Sequence, residues 1–364
     1  MIYDVIIIGA GPAGCASAIT AARSGASVML LERGRFPRQK VCGEFVSAES
    51  LTLLQSILAP KHQAVVANAP RISHARIFDA RSELHAQISP PAASITRFDL
   101  DLALWGSCAH AGVESHDNCA VTKVEGCGPF AVQAGNGAFS GRALVNASGR
   151  WSELTSPQTR SRAGQQRTIG LKAHFREVSS PRTVDLYFFA GGYCGIQPVY
   201  FPEAGPAVVN ACAMVRAEIA TEIGQVLQLH PALELRSRNW APLTEAVATS
   251  PLIFHSAEPV QNQMLQVGDA ATFVDPFIGD GISLALRSGA LASACLARFF
   301  RRELSLQDAA ADYALEYRKR LAPIFTVSSR IRRLLRLPAL VRRPAMSLLQ
   351  HMPGLTAQLV RITR

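Results

Sequence analysis

The stretch that decides the fold lies at residues 4–14 and reads Asp-Val-Ile-Ile-Ile-Gly-Ala-Gly-Pro-Ala-Gly. Its apolar, β-branched start is typical of a strand buried on both faces of a parallel sheet. A helical pattern follows from Cys15 to about Ser24, Gly25 ends it, and residues 26–31 form a second apolar run. This order of strand, glycine turn, helix and strand predicts a βαβ unit that binds a dinucleotide.

The glycines of this turn have different physical tasks. Gly9 makes the tight turn, Gly11 lets the backbone approach a pyrophosphate, and Gly14 lets the helix pack closely on the strand. The free N–H groups and the positive dipole end of the helix then face the phosphates. Glu32 ends the second apolar run, where its carboxylate can accept both hydroxyls of an adenosine ribose.

Motifs outside this unit indicate which dinucleotide binds. Residues 266–271 read Gln-Val-Gly-Asp-Ala-Ala, residues 275–282 read Asp-Pro-Phe-Ile-Gly-Asp-Gly-Ile, and a helical pattern runs from there to Phe300. Residues 36–43 read Phe-Pro-Arg-Gln-Lys-Val-Cys-Gly, and residues 97–104 begin with Arg-Phe-Asp-Leu-Asp. Together these motifs resemble FAD-binding proteins of the p-hydroxybenzoate hydroxylase fold, and among them the geranylgeranyl reductase-like branch.

The resemblance implies a role for individual residues. Asp269 would hold the ribityl chain, the loop from Pro276 to Ile282 would lie along the isoalloxazine ring, and Arg97 would contact the cofactor. Backbone N–H groups at the start of the helix after this loop can stabilise negative charge on reduced flavin. The residues that we expect at FAD are Gly9, Gly11, Ala13, Gly14, Glu32, Arg33, Lys40, Cys42, Gly43, Arg97, Val121, Asp269, Pro276, Gly279, Gly281 and Ile282.

The fold class that follows is α/β, a discontinuous Rossmann-like FAD-binding domain with an inserted antiparallel β-sheet substrate domain and a helical C-terminal tail. Strand-like alternation between Ser152 and His255 supports the inserted sheet. We expect the FAD domain at 1–70, 96–151 and 258–320, the substrate domain at 71–95 and 152–257, and the tail at 321–364.

Two residues are candidate catalytic groups. Tyr193 lies in a stretch that in prenyl reductases reads Tyr-x-Trp-x-Phe-Pro, but Gly195 and Gln197 replace the two other aromatics. Tyr193 is therefore either a pocket residue or an ordinary strand aromatic. The resemblance places Cys42 beside the isoalloxazine, where its thiol would contact substrate, relay a proton or only pack against the flavin.

These features predict an FAD-dependent oxidoreductase, and several reactions stay open. The first hypothesis is a reductase or dehydrogenase that moves hydride between flavin N5 and an apolar, polyketide-like or isoprenoid-like substrate. The alternative is a flavin monooxygenase that hydroxylates through a C4a-hydroperoxide; a halogenase is less favoured because no Trp-x-Trp-x-Ile-Pro segment is present. A third hypothesis is a non-catalytic flavin-bearing interaction protein. The electron donor is unknown, with NAD(P)H as the candidate, although Ser148 replaces an aspartate that many relatives have.

The charge of the chain is concentrated at its C-terminal end. The net charge is +10, but residues 318–364 hold eleven cations and no acid, so the preceding residues sum to −1. We expect broken amphipathic helices that cover the FAD domain, rest on anionic lipid or dock an acidic protein. No metal-site spacing, nucleic-acid-binding motif, signal peptide or apolar run of membrane-spanning length is visible. We therefore expect a cytoplasmic, metal-free protein, with membrane-peripheral association at the inner face as a second interpretation.

Overall fold

The computed structural model describes residues 1–79, 82–135, 137–150, 167–249, 252, 256–273 and 279–324. The strands are β1 (Ile2–Ile8), β2 (Val28–Leu31), β3 (Phe45–Val46), β4 (Arg71–Asp79), β5 (Ser82–Ser94), β6 (Glu114–His116), β7 (Val121–Gly126), β8 (Phe130–Ala134), β9 (Gly137–Asn146), β10 (Thr168–Arg176), β11 (Thr183–Phe189), β12 (Gly192–Phe201), β13 (Gly205–Arg216), β14 (Ala241–Pro242), β15 (Val247–Ala248), β16 (Val260–Gln261) and β17 (Met264–Gln266). The helices are α1 (Pro12–Arg23), α2 (Ala48–Ile57), α3 (Ala64–Ala67), α4 (Arg97–His110), α5 (Ile223–Leu227), α6 (Pro231–Ser237), α7 (Gly281–Phe300) and α8 (Leu306–Arg320).

The first sheet is built around the β1–α1–β2 unit. Its strand order is β16-β17-β9-β1-β2-β6, and the pairs β17–β9, β9–β1, β1–β2 and β2–β6 are all parallel. Residues Val5 to Ile7 are fully buried in the large core that this sheet forms with α1, α4 and α7. The hairpin β7–β8 joins the same sheet through β9.

The long helix α7 packs closely on α1 along a stripe of small residues. A Cβ at Gly289 would lie 2.0 Å from the carbonyl oxygen of Ala13, so glycine is what allows this approach. The hydroxyl groups of Ser17 and Ser293 lie 2.8 Å apart in the same buried contact. By length and composition alone, α7 could cross a membrane, but 56% of its most apolar 18-residue stretch is buried within the protein. Its contacts are those of a core helix.

The second sheet contains the order β14-β10-β13-β12-β11-β4-β5-β3, with β15 also paired to β10. Most of its pairs are antiparallel, but β4 and β11 run parallel, so the expectation of a purely antiparallel sheet is corrected at this pair. The short strand β3 joins this sheet through β5, although it lies close after the glycine-rich turn in sequence. One face of the sheet is covered by α5 and α6, while residues of its other face contact residues 39–44.

The helix α8 covers the edge of the first sheet. The hydroxyl of Tyr313 donates a 2.7 Å hydrogen bond to the carbonyl oxygen of Gln266 at the end of β17. Most of the predicted basic tail, residues 325–364, lies outside the described residues, as does the loop at 274–278.

Candidate functional site

The carboxyl ends of β1, β2, β9 and β17 meet at one edge of the first sheet because these strands are parallel. Backbone hydrogen bonds join them there: Gly9 N–H donates to Leu31, Ala147 N–H to Ile8 and Val267 N–H to Asn146. In open α/β sheets, ligands bind outside this edge. The glycine turn, Glu32 and Asp269 therefore lie on the same side of the molecule.

The glycine turn leaves space in front of the α1 N-terminus. Gly9 has φ +99°, which favours glycine, and a Cβ at Gly14 would lie 1.8 Å from the carbonyl oxygen of Gly9. At Gly11, by contrast, an added Cβ would meet nothing within 4 Å. No side chain caps α1, and its first turn contains no acid. Its N–H groups, including that of Ala13, are therefore free to bind an anionic group such as a pyrophosphate.

Glu32 is buried at the end of β2 and organises the turn. Its carboxylate accepts hydrogen bonds from the N–H groups of Ala10 and Gly34, both at 2.8 Å, and pairs with Arg38 at 2.6 Å. Burial works against the charged form, but Arg38 outweighs it, so the pKa of Glu32 is lowered. Arg33, which we had selected from the sequence, is exposed, whereas Arg38, which we had not, forms the ion pair.

Val121 starts β7 and is half-buried against the large core. It follows Cys119, whose N–H donates to the carbonyl oxygen of Glu32 at 2.8 Å. The structure thus brings the 119–121 segment close to the ribose-binding acid predicted from the sequence.

At the opposite end of the site, Asp269 faces Arg150. Asp269 lies in a short 3-10 turn, Gly268–Ala270, and its carboxylate is 3.5 Å from Nε of Arg150. The guanidinium of Arg150 lies 4.3 Å from the ring centroid of Phe273, and its buried Nη1 has no hydrogen-bond acceptor among the described residues. A buried cation beside a partly exposed carboxylate suits a polar, multiply hydroxylated ligand chain.

The start of α7 completes this edge. Gly279 has φ +75° and lies against Phe45, Gly281 has open space at its Cβ position, and Ile282 is buried. Asp280 is the N-cap of α7 and is buried, and this burial raises its pKa to about 6. Pro276 lies outside the described residues.

Residues 39–44 form a loop between the two sheets. Cys42 and Gly43 are half-buried in it, and the carbonyl oxygen of Cys42 accepts a 3.0 Å hydrogen bond from the side-chain amide of Asn210 on β13. Lys40 is also half-buried. Its pKa is lowered, mainly by burial and further by the positive charge of Arg38. Burial raises the pKa of the Cys42 thiol, although the positive charges of Arg97 and Lys172 act in the opposite direction. At neutral pH this thiol is therefore protonated.

Arg97 lies at the start of α4 and forms a bidentate ion pair with Asp101, at 2.7 and 2.8 Å. Burial disfavours the charged guanidinium, but Asp101 outweighs it and the pKa of Arg97 is raised; the Cys42 thiol contributes in the same direction. Arg97 is thus beside Cys42, and its charge is compensated within the protein. The sequence motif pointed to the arginine but not to this pairing.

A buried charged cluster that was not predicted from the sequence lies next to this loop. Glu44 is fully buried; its carboxylate accepts from Lys172, from the ring Nε2 of His174 at 2.8 Å and from the N–H of Arg97 at 2.8 Å. Lys172 and His174 lie on β10, and both are buried. Burial opposes the charge on Glu44, but Lys172 and His174 prevail and its pKa is lowered.

Tyr193 lies on the face of the second sheet that meets this loop. Gly195 and Gln197 lie on the same face of β12 as Tyr193. On β13, Met214 is the cross-strand neighbour of Tyr193, Cys212 that of Gly195, and Asn210 that of Gln197. Tyr193 itself is buried, whereas Gly195, Cys212 and Met214 are only half-buried. This face therefore offers a partly open, largely apolar wall beside the Cys42 loop. Among the described residues, no group of three or more His, Cys, Asp or Glu side chains is arranged to hold a metal ion.

Comparison with known proteins identifies the class. A family model described as FAD dependent oxidoreductase matches residues 4–93. An uncharacterized protein of the nifH2 5' region of Methanosarcina barkeri is 34% identical over 130 residues, which cover 34% of this chain and 69% of the relative. Menaquinone reductase of Mycolicibacterium smegmatis is 25% identical over 377 residues, covering 92% of this chain and 85% of the relative. Digeranylgeranylglycerophospholipid reductase 2 of Methanopyrus kandleri is 25% identical over 341 residues, covering 88% and 82%.

The fold has close structural neighbours as well. The flavin-dependent brominase Bmp2 superposes with a TM-score of 0.80 at 21% identity, covering 100% of this chain and 93% of the brominase. The chain belongs to the FAD-dependent oxidoreductases, and its homologues include geranylgeranyl reductase-like proteins and flavin halogenases. Its cofactor is FAD. The open space at Gly11 and the uncapped α1 N-terminus fit the pyrophosphate of this cofactor.

Proposed function

We propose that this protein is a reductase or dehydrogenase that moves hydride between flavin N5 and an unsaturated, apolar substrate of isoprenoid or polyketide type. The observation that carries the proposal is the wall formed by Tyr193, Gly195, Cys212 and Met214 beside the Cys42 loop. Such a wall can bind an apolar substrate by burying its surface, with few polar groups to orient it. Two reductase relatives that align over most of the chain support this choice over oxygenation.

Bound FAD supplies the hydride donor or acceptor, and the chain supplies orientation and a proton. In the reducing direction, one carbon of a substrate double bond receives hydride. The neighbouring carbon must then receive a proton. Because the thiol of Cys42 is protonated at neutral pH and lies in the loop that faces the wall, we assign this proton transfer to Cys42. Solvent restores the thiol afterwards.

Gly195 bears on the width of the substrate. A Cβ at this position would be 3.4 Å from the Leu186 side chain and 3.7 Å from the carbonyl oxygen of Cys212, which are ordinary contacts. Glycine is therefore not needed here for close backbone packing. We infer that Gly195 enlarges the wall where prenyl reductases carry a tryptophan, so that a ring-bearing substrate fits as well as a linear chain.

The test uses flavin-loaded protein that has been reduced with dithionite and kept free of oxygen. A prenylated naphthoquinone, geranylgeraniol and an unsaturated aromatic polyketide are mixed with it in turn, and flavin reoxidation is followed by absorbance. We expect at least one of them to reoxidise the flavin and to gain two hydrogens by mass spectrometry. Cys42→Ala should slow this step by ~100-fold, in line with the loss of a general acid, without changing flavin content.

Gly195→Trp is the matched variant for the shape of the wall. It should weaken binding of the ring-bearing substrates more than that of geranylgeraniol. If none of the probes reoxidises the flavin without oxygen, while oxygen and substrate together give a product with one added oxygen, the enzyme is a monooxygenase and the proposal fails. Reduction of the oxidised enzyme by NADH and NADPH in the same instrument tests NAD(P)H as donor.

A further inference from the structure

The Glu44–Lys172–His174 cluster is saturated with hydrogen bonds. The ammonium group of Lys172 has three hydrogens and three acceptors: the side-chain oxygen of Gln39 at 3.3 Å, the carbonyl oxygen of Lys40 at 3.3 Å and the Glu44 carboxylate. The ring of His174 contacts Glu44 through Nε2 and lies 3.2 Å from the Thr244 hydroxyl through Nδ1. The cluster thus fastens the loop that carries Cys42 to β10 of the second sheet.

Such a cluster is costly if its only task is to hold the fold. Buried ion pairs can commonly be replaced by apolar residues of similar volume without loss of stability. Glu44 also has φ +61°, a left-handed conformation that non-glycine residues rarely adopt because it is strained. Strain of this kind occurs most often at functional sites. Glu44, which has both the buried ion pair and the strained backbone, lies two residues after Cys42 in the chain.

The backbone N–H of Glu44 donates to Sγ of Cys42 at 3.3 Å. The conformation of Glu44 therefore directs one hydrogen bond at the thiol, while its carboxylate is turned towards Lys172. The other titratable or charged groups that act on Cys42 are Arg97 on α4, Arg150 after β9 and Cys212 on β13. Arg97 is neutralised by Asp101, and Arg150 is paired with Asp269.

We propose that Glu44 and Lys172 are positioning residues for Cys42: their ion pair holds the loop that carries the thiol, and their opposite charges act on the thiol in opposite directions. The negative charge of Glu44 disfavours a thiolate, and the positive charge of Lys172 favours one. Burial is the main cause that keeps Cys42 protonated, and Arg97 and the backbone N–H of Glu44 act against it. The inference rests on the proposed function only in giving Cys42 a proton-donating task.

The test measures the protonation of Cys42 directly. Flavin-loaded protein is alkylated with iodoacetamide between pH 6 and 10, and the modification rate of each cysteine is read by peptide mass spectrometry. Glu44→Gln removes the negative charge, so Cys42 should react ~10-fold faster at pH 7.5, which corresponds to a one-unit fall in its pKa. Lys172→Met should slow it by a similar factor, and Lys172→Arg should restore the wild-type profile.

Two controls separate this role from a structural one. Glu177 on the opposite side of the same sheet holds the half-buried Arg236 at 2.6 Å, so Glu177→Gln weakens a comparable ion pair and should leave Cys42 unchanged. The exposed Cys127 is an internal reference whose rate should be the same in all variants. Shifts of the same sign in Glu44→Gln and Lys172→Met, or no shift in either, would overturn the inference. Because alkylation requires no hydride transfer, this result is independent of the substrate experiment.

Discussion

Gly11 and Gly14 lie three residues apart in one turn, and the structure predicts opposite consequences for the same substitution. At Gly14 an alanine Cβ would lie 1.8 Å from the Gly9 carbonyl oxygen, so backbone must move by more than an ångström. Overpacking of this kind costs about 1–3 kcal/mol, which outweighs the gain of about 1 kcal/mol from replacing a helical glycine by alanine. At Gly11, φ is −77° and the Cβ would contact nothing within 4 Å, so alanine brings no strain.

Gly11→Ala should therefore keep the stability of the flavin-free protein within about 0.5 kcal/mol. The new methyl group occupies the space in front of the α1 N-terminus, however, and should raise the Kd for FAD by ~10- to 100-fold, or about 1.4–2.8 kcal/mol. Gly14→Ala should lower the free energy of unfolding of the flavin-free protein by up to about 2 kcal/mol, which is the overpacking cost less the helical gain. Urea unfolding followed by circular dichroism and titration of FAD followed by fluorescence quenching measure the two effects.

The control is Gly224→Ala on α5, which also has open space at its Cβ position but lies on the second sheet's outer side. It should leave the Kd for FAD unchanged and raise the free energy of unfolding by up to about 1 kcal/mol, the ordinary gain from a helical alanine. Wild-type FAD affinity in Gly11→Ala would refute the placement of the pyrophosphate at this turn. Equal losses of stability in Gly11→Ala and Gly14→Ala would refute the distinction between open space and close packing.

Three further substitutions test other parts of the site. Asp269→Ala should lower the flavin retained after gel filtration, whereas an unchanged flavin-to-protein ratio would contradict its assignment. Arg97→Met removes the bidentate partner of the buried Asp101 carboxylate and leaves it only Arg38 at 3.6 Å, so it should cost up to about 3 kcal/mol in urea unfolding, while Arg97→Met with Asp101→Leu should recover much of this loss. Asp280 has a pKa of about 6 in the folded protein against 3.8 as a free group, so its ionisation disfavours folding as the pH rises from 4 to 6. Asp280→Asn should accordingly stabilise the flavin-free protein by up to about 3 kcal/mol at pH 8 and by almost nothing at pH 4; equal effects at both pH values would show that the wild-type carboxyl is not buried in this way.

The parts of the fold that the sequence predicts are those that depend on local patterns. The β1–α1–β2 unit follows from an apolar run, a glycine turn and a helical period within the first 31 residues. The start of α7 follows from the same kind of pattern. The parallel pairing of β4 with β11 has no such signal, because it joins segments that are about a hundred residues apart. The ion pair of Glu32 with Arg38 was also not predicted from the sequence, since it depends on the path of the loop between them.

Contacts between residues that are far apart in the chain are equally important in the candidate site, and these contacts were not predicted from the sequence either. Glu44 stands in a predicted cofactor loop, but its charge is explained only by Lys172 and His174, which lie 128 and 130 residues further along the chain. The pattern along β10 does contain a signal for a buried charged cluster, because Lys172 and His174 fall on one face of a strand whose other residues are mostly apolar. A charged pair on a buried face needs a partner. The sequence alone offers many acids and no means to choose among them.

The contacts between residues 39–44 and the second sheet indicate which part of the candidate site would determine substrate specificity. The Lys40 carbonyl, the Cys42 carbonyl and the Glu44 carboxylate are all engaged by the second sheet, so these groups are not available to a substrate. In the proposed reaction, the group of this loop that acts on the substrate double bond is the Cys42 thiol. Selection must then come from the facing wall, where Gly195 sets the width and Met214 supplies an adaptable apolar surface. We therefore expect substitutions on this partly open face of β12 and β13 to change substrate preference without changing the affinity for FAD.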